Sequence, residues 1–125
     1  MREIRFRGKR VDNGEWAYGL PSLNARYYAI RWLDDGVFRS PSVIRKTVGQ
    51  FTGLLDKNGK EIYGGDIIKI TTSGNYNAVI VWNEETCAFS AKAIHFRTIS
   101  DHLFGANISE VIGNIHDNPE LLEAI

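Results

Sequence analysis

The chain has 125 residues, 43% of them hydrophobic and 24% charged, with 15 basic and 15 acidic side chains. That length suits one compact domain, or two small barrels sharing a core, and the apolar fraction is enough to offset chain entropy, which excludes a disordered chain. A formal charge of zero argues against a protein held to nucleic acid or anionic membrane by bulk charge, and the single cysteine excludes an internal disulfide and a multi-cysteine zinc site.

The zero is a sum of two opposite halves. Residues 1–50 hold ten Lys/Arg against five Asp/Glu, and residues 51–125 hold five against ten. No apolar run approaches the ~20 residues of a membrane helix, and the charged start Met1–Arg7 has no apolar stretch behind it that would make a signal peptide. The expectation is a protein of the bacterial cytoplasm with no membrane contact.

Glu3–Arg7 alternates charged and apolar residues, which puts Ile4 and Phe6 on one face of a strand and Glu3, Arg5 and Arg7 on the other. Asp12-Asn13-Gly14 reads as a hairpin turn leading into a strand over residues 15–20. A further strand, rich in aromatics, spans residues 26–33 and ends at the turn Asp34-Asp35-Gly36; another is expected over residues 42–48. Residues 49–65 hold five glycines and read as turns, with Asp56-Lys57-Asn58-Gly59 as a type I turn. Strands then follow over residues 66–71, 78–82, 89–96 and 110–115, separated by Ser73-Gly74-Asn75, by residues 83–86 and by a looser stretch at 97–107. Short strands at even spacing predict a mainly β chain, a small barrel or sandwich. One helix is expected near the end: Asn118 as N-cap, Pro119 at the first helical position, Glu120 on the positive end of the dipole, and Leu121, Leu122 and Ile125 docking it.

Three stretches resemble one family: residues 6–9 with Gly14–Gly19, residues 47–68, and residues 111–115 with Asn118–Leu122. The chain is similar to the YopX family over roughly residues 2 to 123. The family commonly has an acidic residue where Gly64 stands and an aromatic where His116 stands. The resemblance implies an SH3-like small β-barrel and a phage or prophage origin, and it carries over no catalytic residues and no cofactor. The expected layout is one YopX-like domain over residues 1–125. It comprises an N-terminal β region over 1–50, a glycine-rich turn region over 51–63, an SH3-like barrel over 64–116 and a helix over 117–125.

The central motif reads as scaffold. Gly53, Gly59 and Gly65 permit turns, Phe51 and Tyr63 are apolar plugs, and Asp66 binds nearby backbone N–H groups to start the next strand; Gly49, and Gly113 and Asn114 in the third stretch, belong to the same structural motif. The functional alternative has Gln50, Thr52 and Asp56 lining a site on an ordered loop. For a metal, His95, His102 and His116 would have to meet Asp66, Asp101 or Asp117, and their spacing matches no zinc pattern; no metal is expected. Cys87 has no base beside it and reads as a small buried hydrophobe opening a strand, while Asp34-Asp35 and Glu84-Glu85 read as solvated turns.

The best lead to a ligand is the basic, aromatic N-terminal half: Arg5, Arg7, Lys9 and Arg10 near Trp16 and Tyr18, then Arg26, Tyr27, Tyr28, Arg31 and Trp32. Cations with π-faces suit single-stranded nucleic acid, yet the same arginines can be a solvent face or pair with the acidic half of another copy. The expected role is a non-enzymatic, self-associating protein-interaction module with a phage or host protein as partner. A single-stranded nucleic-acid module is the alternative, and a small hydrolase with a carboxylate/His site the second.

Overall fold

A computed structural model describes residues 3–23, 27–70, 76–93, 101–102 and 109–122, with backbone alone at 76, 93, 101, 102 and 122. The chain divides into two compact units, Met1–Phe51 and Thr52–Ile125. The fold is mainly β.

In the first unit, β1 (Phe6–Lys9), β2 (Trp16–Leu23), β3 (Tyr28–Asp34) and β4 (Val37–Arg39) form an antiparallel sheet with the start of β6 (Gly49–Leu55), in the order β4-β3-β2-β1-β6. β5 (Ser42–Val43) lies beside β3. It also meets the chain just past β1, through an Arg10–Val43 bridge and the Val11 N–H to Ser42 carbonyl bond of 2.9 Å. From Phe6 onward the expected alternation holds: Phe6 and Gly8 sit opposite Gly19 and Ala17, on the face that closes over Ala17, Ile30 and Val43 with Tyr28, Trp32 and Val48. Ile4, expected on that same face, precedes the strand and is 65% exposed instead. Both expected turns form. Gly14 takes φ 73°, and Asp35 and Gly36 take φ 48° and 79°, the paired positive angles of a two-residue type I′ hairpin.

The strand expected over residues 42–48 stops after two residues. Thr47 donates its hydroxyl to the Ile44 carbonyl at 2.6 Å and accepts the Lys9 N–H at 2.9 Å, which winds Arg45–Thr47 into a 3-10 turn.

In the second unit, β8 (Asp66–Ile70), β9 (Tyr76–Asn83), β10 (Ala88–Ala93), β11 (Asp101–His102) and β12 (Ser109–Asn114) form a sheet in the order β11-β10-β9-β8-β12. Its core is Ile62, Ile68, Ile70, Ala78, Ile80 and Ala91, where burial of each isoleucine contributes about 1.5–3 kcal/mol. Among the described residues the sheet does not close, so the SH3-like barrel expected over 64–116 is not seen. At the β12 edge the Ser109 carbonyl and the Val111 N–H are taken by the Lys57 N–H and the Asp56 carboxylate, a turn in the place where a closing strand would pair.

Most of the glycine-rich stretch is strand, not turn. β6 and β7 (Glu61–Tyr63) lie side by side, and only residues 56–60 between them turn, while Gly53, Gly59 and Gly65 do take positive φ. Where a helix was expected over 117–125, the described residues show a single 3-10 turn, Pro119–Leu122, closed by the Leu121 N–H to Asn118 carbonyl bond. Asn118 does not cap it: its side-chain oxygen accepts the Asn114 N–H at 3.2 Å and so holds the end of β12. Ser73–Asn75, Arg26, His95, residues 97–100 and 103–107, and Ile125 lie outside the described residues.

Candidate functional site

The pairing of β1 with β2 sorts the basic and aromatic residues by face. Arg7 lies opposite Tyr18 and Lys9 opposite Trp16, so Arg5, Arg7, Lys9, Trp16 and Tyr18 share one face. Leu20 and Arg31 are cross-strand partners on that face, as are Leu33 and Phe38. Tyr28 and Trp32 point the other way and pack on the Ala17, Ile30 and Val43 cluster. The second predicted cluster is thus split: Arg31 belongs to the cationic face, Tyr28 and Trp32 to the core. Strict period-two reading of residues 28–33 carries that signal.

On the cationic face the Trp16, Phe51 and Phe38 rings each meet a charge of their own chain. The Arg7 guanidinium stands 4.4 Å over Trp16, with the Lys9 ammonium at 6.0 Å; Arg5 stands 5.9 Å over Phe51 and pairs with Glu3, and Arg31 lies 4.1 Å over Phe38. On the opposite face Arg45 stands 4.8 Å over Tyr28. Arg7 is only 6% exposed.

Beside these pairs runs an open groove of about 540 Å³, lined by Ile4, Leu20, Leu33 and Phe38 and flanked by Arg5 and Arg31. The four apolar side chains are 55–65% exposed, an apolar surface of the kind that marks interaction sites. None of the four is among the expected site residues; their signal in the sequence is Leu33 and Phe38 flanking the Asp34-Asp35-Gly36 turn, apolar residues where a hairpin tip is ordinarily polar.

A second hollow of about 480 Å³ holds two carboxylates, each matched to an arginine: Asp12 to Arg10 at 2.8 Å, and Asp34 to Arg39 at 3.6 Å. Its hydrogen bonds to Arg10 push Asp12 below the usual carboxylate range and Arg10 above its own, the opposite of what a general acid requires.

The scaffold residues do structural work. Asp66, 1% exposed, accepts the Tyr63 N–H at 2.8 Å, and the Tyr63 hydroxyl donates to Glu61. Thr52 is buried and takes the Leu54 N–H; Gln50 and Gly49 pair with Phe6 and Arg7 in the β6–β1 ladder. Asp56 accepts three backbone N–H groups, from Asn58, Lys60 and Val111, at 2.8–2.9 Å. Desolvation raises its pKa, but the three donors and Lys60 together outweigh it and bring the carboxyl below its ordinary value. Asn114 accepts from the His116 and Asp117 N–H groups and donates to the Asp117 carboxylate.

Cys87 is exposed with φ 52°, in the β9–β10 turn and not buried at a strand start as expected. Among the described residues no group of three His, Cys, Asp or Glu side chains could hold a metal ion; His95 and the side chains of Asp101 and His102 lie outside them. Among the described residues no helix is long and apolar enough to cross a membrane.

No curated protein matches the chain. A solved structure, protein EF1440 from Enterococcus faecalis, matches with a TM-score of 0.58 at 21% identity, covering 98% of this chain and 99% of that one, and so shares its fold. The YopX protein family model matches residues 6–123, which is nearly the whole length. The chain belongs to the YopX family.

Proposed function

We propose that this YopX protein is a non-enzymatic protein-interaction module that associates with copies of itself, an accessory protein of a phage or prophage acting in the bacterial cytoplasm. The observation that carries the reading is the exposed apolar groove of the first unit, whose Ile4, Leu20, Leu33 and Phe38 side chains meet water at a cost that a docked protein surface removes. The opposite charge of the two halves supports a like copy as partner. Single-strand binding ranks lower because the Trp16 face that would stack a base carries the Arg7 guanidinium, and Arg7 is too buried to meet a phosphate. Light scattering over a wide concentration range tests the reading. The weight-average mass rises above the 14.1 kDa of one chain as concentration increases, and a constant 14.1 kDa sinks it.

A further inference from the structure

We infer that the groove of one copy receives the β9–β10 hairpin tip of the next, a head-to-tail contact between unlike surfaces. This rests on the self-association reading and names the two faces that meet. The row of side chains on β9 that builds the core, Ala78 and Ile80, continues past it to Trp82, which is 49% exposed and is braced edge-on by Phe89 at 5.1 Å. Glu84 and Glu85 follow, both exposed, in a turn held by the Asn83 side-chain oxygen, which accepts the Glu85 N–H at 2.9 Å.

The tip therefore offers a large aromatic ring beside two exposed carboxylates. The groove offers the complement: an apolar lining of Leu20, Leu33 and Phe38 with Arg31 exposed above it. Its volume of about 540 Å³ falls within the ~300–1,000 Å³ of sites that enclose a multi-ring ligand. Both surfaces are present on every copy and like does not suit like: tip against tip brings four carboxylates together, and groove against groove opposes two Arg31 side chains, since the one carboxylate that lines the groove, Glu3, is already paired with Arg5. A contact of this heterologous kind propagates into a ring or an open chain.

Mixing two variants separates this geometry from its rivals. Leu33→Ser/Phe38→Ser blunts the groove and keeps the tip; Glu84→Lys/Glu85→Lys spoils the tip and keeps the groove. All four positions are exposed. At concentrations where the wild type associates, each variant alone sediments as a monomer. An equimolar mixture restores one intact groove and one intact tip, and gives a species of twice 14.1 kDa that grows no further. That complementation also shows that both variants are folded. Assembly of the tip variant at wild-type strength, or a mixture that stays monomeric, overturns the head-to-tail contact while self-association stands. A wild type that never exceeds one chain mass overturns both.

Discussion

Asp56 is the residue on which the second unit's open edge depends. One carboxylate oxygen closes the turn by accepting Asn58 and Lys60, and the other reaches across to Val111 on β12, so a single side chain ties two segments distant in sequence. Asp56→Ala leaves three N–H groups unpaired at a site where the side chain was 2% exposed, and the expected loss is about 2–4 kcal/mol by urea unfolding. Asp56→Asn retains one acceptor but aims an amide donor at an N–H, so it falls between the two. Because the folded pKa lies below the ordinary value, Asp56 adds stability that is fully present above about pH 4. That contribution is lost as the pH falls through the lowered folded value. The stability gap between wild type and Asp56→Asn therefore narrows below about pH 4. A gap that stays constant down to pH 2 contradicts this role.

Among the elements, the β3–β4 hairpin presents much of the groove, since Leu33 and Phe38 are the pair directly opposite each other behind its turn. Asp35 and Gly36 both stand at positive φ, and nothing lies within 4 Å of a Cβ built on Gly36, so a side chain there costs conformation and not space. Gly36→Val is expected to lower stability by about 1–2 kcal/mol and Gly36→Asn by clearly less, because Asn tolerates the left-handed region. Equal melting temperatures for the two variants would rule out the I′ turn. This hairpin was legible in the sequence because its turn chemistry is local to Asp35-Gly36. β6 was not. Its glycines read as turn residues, yet Gly49 and Gln50 are held extended by pairing with Arg7 and Phe6 from the other end of the same unit. The 3-10 turn at Arg45–Thr47 escaped for the same reason, since Thr47 answers to the Lys9 N–H. Gly113 was legible as a glycine but not for its cause. A Cβ there would stand 2.5 Å from the Asn118 side-chain oxygen, beside the bulge where the β12–β8 register shifts. The groove itself was hidden because strand alternation says which side chains share a face and not which face the assembled sheet leaves uncovered.

At the scale of the molecule, the basic first unit and the acidic second one give a chain that is neutral in sum and polar along its length. Several of the basic charges do not reach solvent as free cations: Arg10 and Arg39 are paired, and Arg7 is buried. Arg31 remains exposed over Phe38, at the groove. Glu84 and Glu85 are its exposed counterparts in the second unit. Attraction between such solvent-facing charges is screened as the Debye length falls from ~10 Å near 0.1 M salt to ~3 Å near 1 M, whereas apolar burial in the groove is not weakened by salt. Self-association is therefore expected to weaken several-fold between about 0.05 and about 0.5 M sodium chloride and then level off without vanishing. In the neutral-tip variant Glu84→Ser/Glu85→Ser the association starts weaker and changes little over the same range, because the screened component has been removed at its source. Sedimentation velocity at three salt concentrations measures both slopes. Wild-type association that strengthens steadily with salt would mean that apolar burial alone drives assembly and that the polarity of the chain plays no part in choosing its partner.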